Sequence, residues 1–114
     1  MEISARHHQD ILILDMVGRL DSSTSGRAYD TTIDIAKGGA KRIVLNLDKL
    51  EYVSSAGMRV ILTLAKLLQS SAGEVKICHA NLNVKEALET SGFNSLVKIF
   101  GDEQSAIASW DQAT

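Results

Sequence analysis

Apolar residues fall in short dense blocks along this chain, and the polar stretches between them carry helical spacing. Ile11-Leu-Ile-Leu14, resumed by Met16-Val17 after Asp15, is a nearly unbroken apolar run, the pattern of a strand covered on both faces. Lys41 to Leu47 reads as a second buried strand and Glu74 to Cys78 as a third strand, Ile3 to Arg6 reads as a short edge strand, and Leu96 to Phe100 as a short last strand. His7-His8-Gln9-Asp10 reads as a polar turn. A helix is predicted from about Thr24 to Lys37, with Ala28, Tyr29, Ile33 and Ala36 at helical spacing, caps offered by Asp21-Ser-Ser-Thr24, and a stop at Gly38-Gly39. A second runs from Ser55 to about Gln69. Its polar residues Arg59, Thr63, Lys66 and Ser70 share one narrow stripe. Its apolar arc is roughly 220° wide, more than the roughly 100° that one core face requires, so the helix is either nearly buried or meets a partner near Met58. Asn83 with Glu86 suggests a capping box before Val84, Ala87 and Leu88, closed by Ser91-Gly92, and Asp102 caps a last helix carrying Ala106, Ile107 and Trp110.

The predicted order is β-β-α-β-α-β-α-β-α. Strands alternating with helices imply an α/β fold with a largely parallel sheet and right-handed crossovers. The first two strands, joined by a short turn, pair antiparallel at one edge. The expected architecture is a mixed, mostly parallel sheet of four to five strands packed with about four helices, in a single domain spanning residues 1–114.

Composition narrows the function. The chain has 114 residues, of which 45% are hydrophobic, enough to bury one core. Twelve Lys and Arg stand against fourteen Asp and Glu, a net charge of −2, which argues against a general nucleic-acid binder. No apolar run reaches the roughly 18 residues of a membrane span, and the first residues lack the pattern of a signal peptide. One cysteine, Cys78, cannot close an internal disulfide, so a soluble cytoplasmic protein is expected, working without membrane or nucleic acid.

The most informative stretch is Asp48-Lys-Leu-Glu-Tyr-Val-Ser-Ser-Ala-Gly-Met-Arg-Val-Ile-Leu62. A buried strand gives way to an apolar helix across two serines and a small pair. Ser54 and Ser55 therefore sit at a helix N-terminus, where backbone N–H groups lack intrahelical partners. A serine there serves as a cap or as a switch, since a phosphate adds about −1.5 to −2 of charge.

Three pieces in order carry a family likeness: Gly18-Arg-Leu-Asp21, Ile43-Val-Leu-Asn-Leu-Asp48 with Leu50, and Val53-Ser-Ser-Ala-Gly-Met-Arg-Val-Ile-Leu62. Together they resemble the STAS family, specifically the small stand-alone anti-sigma-factor antagonists, over almost the whole chain. In that family the phosphorylated serine follows an aspartate and stands two residues before a glycine. Gly57 fixes the register, which places Ser55 at the switch position and Ser54 at the aspartate position; Ser54 is the alternative acceptor. The resemblance implies a partner switch. The unmodified protein binds an anti-sigma factor that is itself a serine kinase and so frees a sigma factor; phosphorylation ends binding, and a metal-dependent serine phosphatase resets the cycle. It implies a partner-facing set of Asp21, Ser22, Ser23, Asp48, Ser54, Ala56, Gly57, Met58 and Arg59, a protein with no catalytic residues, no metal and no cofactor, and a monomer or weak dimer.

Plainer roles remain open beside these. Asp21 could cap the first helix, and Asp48 could form a turn at a strand end, where it would also repel a phosphate, as would Glu51. His7 and His8 read as solvated, and Cys78 as a small buried hydrophobe. Two other functions compete: a STAS scaffold within a larger signalling assembly, and a small enzyme with Ser55 as nucleophile and His79 as base. The second lacks a Gly-x-Ser-x-Gly elbow and an evident acid to orient His79.

Overall fold

The computed structural model describes residues 1–92 and 95–111. Five strands and four helices alternate as β1 (Glu2–His8), β2 (Ile11–Leu20), α1 (Ser25–Lys37), β3 (Arg42–Val53), α2 (Ser55–Ser70), β4 (Glu74–Cys78), α3 (Leu82–Thr90), β5 (Lys98–Phe100) and α4 (Glu103–Asp111). The strands lie in sequence order across one sheet, with β1 antiparallel to β2 and every later pair parallel. A monotonic order with right-handed crossovers puts every connecting helix on the same face. Accordingly Ala28 of α1, Ile61 and Leu64 of α2, and Val84 and Leu88 of α3 pack in one core with Leu12, Leu14, Ile43, Leu45, Val75 and Ile77. Helix α4 follows the last strand and closes over the opposite face, where Ala106 and Trp110 meet Ile11, Ile13, Val44 and Cys78. The Ile11–Leu14 run is buried throughout, as its unbroken apolar character requires.

Several local expectations are corrected. His7 and His8 belong to β1, pairing with Leu12 and Ile11. The turn is reduced to Gln9 and Asp10, with Gln9 at φ 57. Tyr29 lies 43% exposed, and the inward position of α1 goes to Thr32, whose hydroxyl donates to the Tyr29 carbonyl at 3.0 Å and so remains satisfied when buried. The cap of α3 is Asn81, which accepts from the Val84 N–H at 2.8 Å; Asn83 is already inside the helix. Asp102 does cap α4, accepting from the Ser105 N–H at 2.7 Å.

The largest departure concerns β2 and β3. Both outrun the rest of the sheet. The pairing of β1 reaches Val17 and that of β4 stops at Asn46, yet β2 and β3 stay paired to Leu20 and Val53. Register shifts between Asp15 and Val17 and between Gly18 and Arg19 bend this arm, and Gly18 takes φ +108, a value that side chains disfavour. Asp48 thus sits within a strand and does not end one.

Candidate functional site

The arm carries the two segments singled out in the sequence to one end of the sheet. Leu20 and Val53 are register partners, so the chain leaves both strands side by side. The Ser54 N–H donates to the Leu20 carbonyl at 2.9 Å, a last ladder bond that ties the Asp21–Thr24 turn to the start of α2. The turns lie outside the carboxyl ends of parallel strands, where α/β sheets place their binding sites.

The turn before α1 is built on side-chain oxygens. Asp21 Oδ1 accepts from the Ser23 hydroxyl at 2.6 Å and from the Ser23 N–H at 2.9 Å. These two bonds, the hydroxyl first, hold the Asp21 carboxyl below its ordinary range. Thr24 Oγ1 accepts from the Asp21 N–H at 3.0 Å and donates to the Arg19 carbonyl at 2.9 Å. Asp21 therefore orders the turn, while α1 begins at Ser25 with no side-chain cap bond from Thr24. Ser22 and Ser23 stay exposed.

The two serines have different surroundings. Ser54 has extended backbone, is half-buried, and its Oγ accepts from the Gly57 N–H at 3.2 Å, which makes it the N-cap of α2. Ser55 is the first helical residue and is exposed. Its hydroxyl makes no hydrogen bond among the described residues, and neither do the N–H groups of Ser55 and Ala56. Ser55 stands on the rim of a groove between α2 and α3, lined also by Tyr52, Met58, Asn83, Glu86 and Thr90. A second groove, between α1 and α2, is lined by Gly26, Tyr29, Ala56, Arg59 and Val60.

Of the residues expected to face a partner, Asp21, Ser22, Ser23, Ser54, Ala56 and Arg59 gather around this end of the sheet with some surface to offer. Gly57 and Met58 stand at the same end but are buried, Met58 at 7% exposure on the floor of the α2–α3 groove, and they seat α2 on the arm. The wide apolar arc of α2 is correspondingly core, with Leu67 as its exposed exception. Asp48 is exposed but lies five residues before the arm's tip.

Arg19 and Tyr52 were not anticipated. They are register partners on the arm, with the guanidinium 4.6 Å from the ring centre and 3.9 Å from Asp21. No spacing rule finds such a pair, since their meeting depends on the shifted β2–β3 register. His79 is engaged elsewhere, its Nε2 accepting from the Glu103 N–H at 3.3 Å at the start of α4. Burial pushes the Cys78 thiol up to about 12, which keeps it protonated and inert. Among the described residues no group of three or more His, Cys, Asp or Glu could hold a metal ion, and no helix is long and apolar enough to cross a membrane.

Comparison with known proteins agrees with this layout. The family pattern described as STAS domain matches residues 2–106. BtrV of Bordetella bronchiseptica, assigned as an anti-sigma factor antagonist, is 40% identical over 113 residues, covering 99% of this chain and 97% of that protein. The anti-sigma F factor antagonist of Paenibacillus polymyxa is 32% identical over 108 residues, covering 94% and 92%. The Bacillus cell fate determinant SpoIIAA, solved in its phosphorylated form, superposes with a TM-score of 0.72 at 17% identity, covering 99% of this chain and all of that one. On this agreement of pattern, relatives and fold, the chain belongs to the STAS-domain family, among its anti-sigma factor antagonists.

Proposed function

We propose that this protein is a phosphorylation-controlled binding module acting as a single STAS domain. In its unmodified form it docks on an anti-sigma factor that is also a serine kinase and so releases a sigma factor. The kinase then transfers the γ-phosphoryl group of ATP to Ser55. A bond forms from Ser55 Oγ to phosphorus, the bond to ADP breaks, and the kinase's base takes the hydroxyl proton. The metal, base and phosphate clamp all belong to the kinase, so this chain needs no catalytic residues of its own. A metal-dependent serine phosphatase hydrolyses the ester and restores the binding form. Such a cycle is cytoplasmic.

The observation that carries this reading is the division of labour between the serines. Ser54 is occupied as a cap, whereas Ser55 presents an unengaged hydroxyl at an exposed rim. The neighbours suit entry of a kinase site, because Ala56 is small and Gly57 lies flat against the arm. SpoIIAA, a protein of the same fold, has been solved in a phosphorylated form.

A phosphate on Ser55 would meet the free N–H groups of Ser55 and Ala56, so the helix start tolerates the anion. Loss of binding must then arise at the interface, where a dianion in a close contact is costly unless paired. A penalty of about 3 kcal/mol weakens binding more than a hundredfold.

The test is incubation with ATP and a candidate serine kinase encoded beside the gene, followed by phosphosite mapping. Phosphate on Ser55, absent from Ser55→Ala, is the expected result. Phosphate on Ser54, or on neither serine, would sink the assignment. Ser55→Asp is expected to lose affinity for that kinase with an unchanged melting temperature.

A further inference from the structure

Three of the five arginines are engaged by the fold. Arg6 pairs with Asp15 and Glu103, Arg19 with Tyr52 and Asp21, and Arg42 with Asp10 and the Trp110 ring. Among the described residues Arg27 makes no such contact, and it faces the Met1–Ser4 edge. Arg59 is exposed and has no ion pair, aromatic stack or side-chain hydrogen bond among the described residues. It is the only basic residue in the first two turns of α2, and it stands four positions after Ser55. Residues at that spacing on a helix have Cβ atoms about 5–6 Å apart. Between them, Gly57 and Met58 turn inward and Ala56 is small, so no long side chain screens one from the other. An acid placed N-terminal to a base at this spacing is the favourable orientation, and the guanidinium fork matches two phosphate oxygens.

We propose that Arg59 is the internal counter-ion of a phosphate on Ser55. The inference rests on Ser55 as the phosphoacceptor. Modification then does two things to the docking face: it installs an anion, and it withdraws into that anion a cation that the unmodified face offers to its partner. Glu86, across the α2–α3 groove, supplies no such relief and repels the same phosphate.

The experiment uses phosphoserine incorporated at position 55 during translation, so its outcome does not depend on any kinase. The second ionisation of the phosphate is followed by phosphorus NMR in the otherwise wild-type protein, in Arg59→Gln and in Arg59→Lys. A neighbouring cation favours the dianion. The wild-type midpoint is therefore expected about half a pH unit or more below that of Arg59→Gln, with Arg59→Lys restoring part of the shift. Superimposed wild-type and Arg59→Gln titrations would overturn the inference, and so would a shift that lysine fails to restore in any part. A kinase that leaves Ser55 unmodified, by contrast, would refute the phosphoacceptor assignment and leave this titration intact.

Discussion

Gly57 stands so close to Leu20 that a Cβ built on it would lie 2.6 Å from the Leu20 carbonyl oxygen and 2.7 Å from Leu20 Cγ, with Val53 Cγ2 at 3.0 Å. The glycine is thus a contact surface for the end of β2, and its conformational freedom is secondary. The first turn of α2 lies flat on the arm because nothing projects from this position.

Gly57→Ala is accordingly expected to destabilise the protein despite the better helix propensity of alanine. The clash is with backbone as well as side chain, so relief requires α2 to lift from Leu20 and strain the Ser54–Leu20 bond. Overpacking of this kind costs about 1–3 kcal/mol, against roughly 1 kcal/mol returned by propensity. A urea titration should show a lower midpoint with an unchanged slope. A midpoint at or above wild type would mean that the two elements separate without cost.

The serines should part company in stability as they do in geometry. Ser54→Ala removes the acceptor of the Gly57 N–H and should cost about 1 kcal/mol, the usual loss for a serine cap. Ser55→Ala removes a hydroxyl that holds nothing and should stay within about 0.5 kcal/mol of wild type. Chemical denaturation of the two variants side by side checks both values. Equal losses would show that Ser55 also has a structural role.

Much of this was legible in the sequence for definite reasons. The unbroken Ile11–Leu14 run had to be a two-sided strand, and Gly57 with the serines had to begin a helix. What escaped is set by tertiary pairing. Asp48 looks like a turn residue at a strand end, but β2 pairs on either side of it, with Asn46 and with Lys49, and carries β3 on to Val53. His7 and His8 look like a loop until the hairpin register pairs them with Leu12 and Ile11. Asn81 and Asn83 are equivalent by spacing from an apolar run, and Asn81 becomes the cap where its amide also donates to the Leu50 carbonyl at 3.1 Å. Lys76 is silent in the sequence, because a lysine in a strand is expected to face water.

The opposite face of the sheet predicts an acid response. Arg6 bonds both oxygens of Asp15, at 2.6 and 2.8 Å, and Glu103 Oε1 at 2.6 Å, so β1 and β2 are tied to the start of α4. These bonds from Arg6 are the largest cause holding both carboxyls below their ordinary values of 3.8 and 4.5. A carboxyl depressed in the folded state binds fewer protons folded than unfolded. Its stabilisation is complete above the ordinary value and is lost as pH falls through the depressed one. Arg6→Gln should therefore cost about 1 kcal/mol at pH 7, a modest figure because the arginine is half exposed. Urea midpoints of wild type and variant should converge as pH is lowered toward 3 and below. A gap that persists undiminished in acid would assign the loss to packing.

Lys76 makes the opposite demand, at alkaline pH. It is 2% exposed. Its Nζ lies 4.0 Å from the Trp110 ring centre and 5.6 Å from that of Phe100, donates to Ser109 Oγ, and comes within 4.0 Å of Glu74. Burial pushes its ammonium below the ordinary 10.5, Glu74 pulls it back, and Lys98 and Arg42 add to the depression. For a base whose folded value is depressed, the unfolded chain holds more protons between the two values, so stability rises with pH across that window. Lys76→Met keeps an unbranched side chain, one heavy atom shorter, and leaves no buried charge unpaired. Glu74 still accepts from Trp110 Nε1 at 3.0 Å, and Ser109 still donates to the Ala106 carbonyl at 2.6 Å. The substitution should shift stability at pH 7 by no more than about 1 kcal/mol, as replacements of buried charge by apolar groups often do. It should also abolish the alkaline rise, so that wild type gains on the variant as pH climbs toward 10.5. The two tyrosines are common to both proteins and cancel in the difference. Parallel pH profiles would show that Lys76 keeps its ordinary proton affinity inside the aromatic cage, with the cation held by Trp110, Phe100 and Glu74 as firmly as by water.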